Sequence, residues 1–230
     1  MPGPRLIRDG KVLLAVAAEV ECRAVLDGLG HDPAPIRPWQ LIPAARNADL
    51  VMTGVGKAAA AAGVARALNP AVHQLVLSIG IAGTYTNAPL SSIITATRSV
   101  FADEGVQTPR AFTDLAALGF PPTDAGMAIP IAPHVLAALS PLADQSGPIA
   151  TVSTCSGTDT LAAELRQRTG AVAEAMEGAA VGLVAHRLAV PFGELRVISN
   201  TTGDRDRQVW RLHDALASLR AVIGPLLQAV

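Results

Sequence analysis

The chain has 230 residues, half of them apolar and 16% charged, which excludes general disorder and suffices for one large domain with a substantial core. A net charge of −1 gives no electrostatic reason to expect nucleic acid or a membrane surface as partner. Aromatic residues make up only 3%, too few for the stacking platforms of single-strand binders. In chain order, residues 11–17 read as a buried strand and 20–29 as a helix closed by Gly30. Residues 31–48 are proline-rich and read as irregular. A strand at 50–53 leads into a helix at 56–68 that ends at Asn69-Pro70. A strand at 75–79 runs into Gly80-Ile-Ala-Gly83, and 92–97 reads as another strand. Residues 103–126, with Thr108-Pro and Phe120-Pro-Pro, read as a long irregular stretch, either a lid or a surface excursion. A strand at 149–153 precedes a helix at 158–168, and 172–175 leads into a helix at 177–188. The last strand falls at 192–199 and the last helix at 207–227. Strands alternating with helices of this length predict an α/β fold, and near-continuous apolar strands predict a sheet covered on both faces.

Cys22 and Cys155 lie far apart and form no CxxC pattern, so free thiols are expected. No apolar run is long enough to span a bilayer. Met1-Pro-Gly-Pro-Arg5 lacks the apolar stretch of a secretory signal, and the expected location is cytoplasmic. The five histidines show no metal-ligand spacing, and neither metal nor organic cofactor is expected.

Polar residues at strand ends and helix starts are where open α/β sheets build ligand sites. Gly54-Val-Gly-Lys-Ala58 lacks the spacing of a P-loop and reads as a tight strand-to-helix turn. The glycines of 80–83 would let a ligand approach the backbone. Glu21, just past the first strand, is either a general base toward water or a solvent-facing acid in a helix first turn. Glu19 is a second candidate. Glu177 is a lone acid at the mouth of an apolar helix, where it can serve the helix dipole or accept from a vicinal diol. Asn200 follows the last strand and could be a turn residue. The stretch 203–207 is either a solvated loop with Asp206 as helix cap, or one in which Arg205 or Arg207 binds a carboxylate. Trp210 is a core anchor or a pocket wall, and Cys155 reads as structural.

Glu174-Ala-Met-Glu-Gly-Ala-Ala180 and Arg196-Val-Ile-Ser-Asn-Thr-Thr-Gly-Asp-Arg-Asp-Arg207 together resemble the nucleoside phosphorylase and nucleosidase superfamily. Within it the chain is most similar to the futalosine hydrolases, to which 102–109, Asp114-Leu115 and 118–121 also correspond. The resemblance implies a single domain over 1–230, a three-layer α/β/α sandwich around a central mixed, twisted sheet. It implies hydrolysis of the N-glycosidic bond of futalosine to dehypoxanthine futalosine and hypoxanthine, in menaquinone biosynthesis. Glu21 would activate water, and Glu177 would grip the ribose hydroxyls with Met176 against the sugar. Gly80 and Ala82 would border the ribose, and Gly157 and Thr158 would meet the purine through their backbone. Trp210 would line the pocket for the 5′-substituent. Asn200 stands where adenosine-type nucleosidases carry aspartate, and its amide suits a 6-oxopurine. Ile81 stands where relatives often carry Ser or Thr, which makes a phosphate site less plausible. The expected partner is a small nucleoside, with the chain acting as a homo-oligomer. A methylthioadenosine/S-adenosylhomocysteine-type nucleosidase, a purine nucleoside phosphorylase and a non-catalytic nucleoside-binding protein are the alternatives. Arg98, Arg110, Arg205 and Arg207 are all candidates to bind the benzoate carboxylate that futalosine carries.

Overall fold

The computed structural model describes residue 7 and residues 10–32 and 34–230. Residues 11–16 are apolar after Lys11 and form β1 (Lys11–Val16), buried from its second residue on. The helix α1 (Glu19–Gly28) follows, then β2 (Leu41–Ala45) and β3 (Ala48–Met52). An alanine run, the best helix-forming composition, makes α2 (Lys57–Ala67). The long β4 (His73–Thr84) and β5 (Ile93–Phe101) carry the centre of the sheet. Then come the short β6 (Gly105–Gln107), β7 (Phe112–Asp114) and β8 (Ala128–Pro130), followed by α3 (Pro133–Leu139). The strand β9 (Gln145–Thr151) leads to α4 (Asp159–Thr169), whose cap Thr158 accepts from the Leu161 amide and whose end is turned by Gly170 in the left-handed conformation. The chain closes with β10 (Ala173–Ala175), α5 (Gly178–Arg187), β11 (Phe192–Thr201) and α6 (Leu212–Ala229).

The main sheet runs β10-β9-β5-β11-β4-β1-β3-β2, with β8 added alongside β5. It is mixed: β1, β3, β4 and β11 are parallel neighbours, while β5 lies antiparallel to β11. The sheet is also not fully open. The strand β10 bonds in parallel to β9 and, through Ala173 and Glu174, antiparallel to β4, so five strands return on themselves. Helices α1, α3 and α6 cover one face, and α2 and α5 pack together on the other. This is the expected mixed α/β architecture, with one end of the sheet rolled up.

The structure departs from the sequence reading in four places. The stretch 31–48 contains β2, an edge strand, where Pro43 removes no bond the sheet needs. Gly80 to Gly83 continue β4 and do not form a loop. The stretch 103–126 holds the hairpin of β6 and β7, and β8 and α3 follow it unforeseen. Asp206 caps no helix, because it sits in a single 3₁₀ turn at Arg205–Arg207 and α6 starts only at Leu212. Among the described residues, no helix is long and apolar enough to cross a membrane.

Candidate active site

The carboxyl ends of β1, β4 and β11, together with β10 and the turn after β9, surround a cavity of about 420 Å³, within the usual range of small-ligand sites. Glu21, Ala82, Gly157, Met176, Glu177, Asn200 and Trp210 all line it. Gly80 and Thr158 do not. Gly80 lies behind the wall, and a Cβ there would overlap the carboxylate of Glu21 and crowd Arg196. The Thr158 hydroxyl is occupied in capping α4.

Glu21 is buried, not solvent-facing. One carboxylate oxygen accepts from the Ala18 amide at 2.9 Å, reaching back over the first turn of α1, and the other accepts from the Ile81 amide at 2.8 Å. Burial pushes its pKa up, against the opposing pull of Arg196 and the two amides. Glu19 is exposed and paired with Arg23 at 3.3 Å, so it takes no part in the cavity.

Glu177 stands at the mouths of two helices. It is the N-cap of α5, and it accepts from Gly56 N at 3.1 Å, where α2 begins. Both helix ends favour negative charge. The turn Gly54-Val-Gly56 has positive φ at both glycines, so the sharp turn is what these residues serve, and its amide meets a carboxylate. The next residue, Lys57, pairs with Asp103 at 2.5 Å and Glu104 at 3.1 Å.

Sequence reasoning missed the buried ion network below Glu177. Arg196 is fully buried, 3.4 Å from Glu177, donating to Glu194 at 2.8 Å and to the Ser78 hydroxyl at 2.9 Å. Glu194 also accepts from Ser99 Oγ. The available signal was Glu194-Leu-Arg196, two opposite charges on one face of an otherwise apolar strand. The network also explains why residue 178 is glycine. A Cβ there would overlap the Glu194 carboxylate, so this glycine makes room for an acid beneath the site.

Asn200 lies just past a register shift in β11, where Ile198 pairs with Ala82 and Asn200 with Gly83, leaving Ser199 as the extra residue. Such irregularities re-aim side chains next to sites. Asn200 Oδ1 accepts from Ser199 Oγ at 2.8 Å and Nδ2 donates to Thr201 O at 2.9 Å, which leaves one acceptor position and one N–H for the cavity. Glu174, also missed, accepts from Tyr85 OH at 2.6 Å and from the Ser156 amide and hydroxyl at 2.9 and 2.5 Å, fixing the wall at Ser156 and Gly157. Cys155 lines the cavity, and desolvation there, with Glu174 and Glu177 close by, raises its pKa to about 11. Trp210 is 45% exposed, a wall and not a core anchor. No residue of the stretch 103–126 lines the cavity, though Asp103 and Glu104 hold Lys57 next to Gly56, and Asp103 accepts from the Ser153 amide. Among the described residues, no three His, Cys, Asp or Glu side chains converge as a metal site.

The sequence model of the phosphorylase superfamily matches residues 44–228. The futalosine hydrolase of Acidothermus cellulolyticus is 41% identical over 219 residues, 94% of this chain and 88% of that one. The futalosine hydrolase of Streptomyces coelicolor is 41% identical over 185 residues, 77% of each chain. In fold, the structure of futalosine hydrolase from Helicobacter pylori superposes with a TM-score of 0.78, at 19% identity, over 96% of this chain and 99% of that one.

Proposed function

The chain belongs to the phosphorylase superfamily, among its futalosine hydrolases, and from that premise we propose that its cavity hydrolyses the N-glycosidic bond of futalosine, releasing hypoxanthine. The observation that carries this reading is the grouping of Glu21, Glu177 and Asn200 in one cavity, each held by a different strand end or helix mouth. Glu177 accepts from the ribose diol, with Met176 against the sugar. The purine takes the electron pair of the C1′–N9 bond and a proton from solvent at N7. Asn200 accepts from that N7–H with its free acceptor position and donates to O6 with its free N–H, and Glu21 later returns the proton it takes to solvent. Charge leaves the sugar as the C1′–N9 bond breaks, and the carboxylates of Glu177 and Glu21 face the oxocarbenium character that develops. Glu21 orients a water and takes its proton as oxygen bonds to C1′. Ala82 and Gly157 form the cavity wall, with Gly80 supporting Glu21 and Thr158 holding the helix behind Gly157.

The test is hypoxanthine release from futalosine by the purified protein in phosphate-free buffer. Release at a rate independent of added phosphate is expected. Strict dependence on phosphate would make the protein a phosphorylase, and no release at any phosphate level would sink the enzymatic reading. The same reading takes the chain as one domain working in the cytoplasm as a homo-oligomer, the last checked by sedimentation equilibrium.

A further inference from the structure

We infer that Arg205 is the residue that recognises a carboxylate carried on an aromatic group at the mouth of this cavity, and so selects an anionic nucleoside over a neutral one. The inference rests on the nucleosidase reading for the identity of the rest of the ligand. Among the described residues, three acids line the cavity, Glu21, Glu174 and Glu177, but only one cation does, Arg205. Its neighbours hold it without neutralising it. The guanidinium lies 4.9 Å from the centroid of the Trp210 ring and donates through Nη1 to Gln208 Oε1 at 2.9 Å. Gln208 is itself pinned. Its amide nitrogen donates to Ser156 O at 2.8 Å and Gly203 O at 3.0 Å, and its oxygen also accepts from Trp210 Nε1 at 3.1 Å. Ser156 is in turn fixed by buried Glu174. A continuous chain of contacts therefore runs from β10 to the arginine.

Among the described residues no carboxylate pairs with Arg205, which leaves most of its five N–H groups for a ligand. Its charge reaches the cavity, being one of the influences that oppose the rise of the Cys155 pKa. Arg207, two residues on, has the opposite fate. It is committed to Asp159 at 2.6 Å and to Asp204, and it does not line the cavity. Arg98 donates to Thr169 O at 3.5 Å, and Arg110 lies beside Phe112 and Arg168, both outside the cavity wall. A planar guanidinium stacked on an indole presents one flat apolar surface and one bidentate fork, the complement of an aryl carboxylate.

The experiment compares futalosine with its methyl ester on wild type, Arg205→Gln, Arg205→Lys and Arg207→Gln. Wild type and Arg207→Gln should favour the free acid by about ten- to a hundredfold in kcat/KM, mostly through KM. Arg205→Gln should bring the ratio close to one, and Arg205→Lys should restore only part of it, because an ammonium supplies charge without the fork. An acid-to-ester preference that survives Arg205→Gln overturns the assignment. Should wild type split neither compound, the hydrolase reading fails separately, and the same ratio measured as calorimetric affinities decides the role of Arg205.

Discussion

Glu21 and Glu177 are both buried carboxylates on one cavity, and their surroundings differ. Glu177 has two helix mouths and Arg196 beside it. Glu21 has two amides, but burial outweighs them and raises its pKa. A base must be ionised to take a proton, so with a raised pKa the active form is lost as pH falls through a value above the ordinary carboxylate range of about 4.3. The kcat/KM profile for futalosine should therefore show an acid limb above that value, and Glu21→Gln should lower kcat by about 10²–10⁴-fold. A limb at or below the ordinary value would argue that another group is the base. Asn200 carries the second prediction. With one amide acceptor position and one donor left free, it matches N7–H and O6; an aspartate there would meet O6 without a donor and face the Thr201 carbonyl. Asn200→Asp should shift selectivity from inosine toward adenosine, by roughly five- to 150-fold for an unpaired group that costs about 1–3 kcal/mol. An unchanged inosine-to-adenosine ratio would count against the 6-oxo reading. At this scale much of the site was legible, because Glu177 and Asn200 sit where a polar residue interrupts an apolar element. Arg196, Glu194 and Glu174 were not read, because their partners come from Ser78, Ser99, Tyr85 and Ser156, far away in sequence.

The helix α5 shows how an element can be shaped by what lies underneath it. It starts at Gly178, against the Glu194 carboxylate that holds Arg196, and Arg196 in turn reaches Glu177 at the cap of the same helix. Gly178→Ala would push a methyl group into that carboxylate. Overpacking of this kind costs about 1–3 kcal/mol, and separating a buried ion pair costs more. At about 2–4 °C per kcal/mol for a chain of this size, the melting temperature should fall by several degrees. Gly224, in α6, is the control. A Cβ there meets no neighbouring element and faces only the ring of Pro225 next to it, so Gly224→Ala should cost less than Gly178→Ala, about 1 kcal/mol or below. Equal melting shifts for the two variants would refute the packing argument. Elements with a strong apolar run or helical period were legible in the sequence, as β1, β4, α2 and α5 were. The elements that escaped are short or carry proline: β2 with Pro43, β8 ending at Pro130, and the seven-residue α3. The glycines that end in β4 looked like a loop because the sequence does not show that Asn200 and Thr201 would pair with Gly83 and Thr84.

The whole molecule binds these parts into one unit. The cavity takes residues from Ala17 near the start to Trp210 near the end, and the sheet behind it closes only when β10 reaches both β9 and β4. The α/β class was legible from the alternation of elements, whereas the closure was not, since it rests on a pairing between Glu174 and Gly83. The central apolar cluster likewise draws on both ends of the chain, from Val12 to Leu226. If the chain is one domain, as proposed, thermal unfolding should be a single transition with a heat-capacity change of about 3 kcal/mol/K, at 12–15 cal/mol/K per residue. Hypoxanthine, binding only the folded cavity, should move that transition upward as a whole. At about a hundred times its Kd the gain is about 2.7 kcal/mol, or roughly 5–10 °C. Scanning calorimetry with and without hypoxanthine checks both points. Two resolved transitions, with only one of them responding to the base, would show that the chain folds as separable units and that the cavity belongs to one of them.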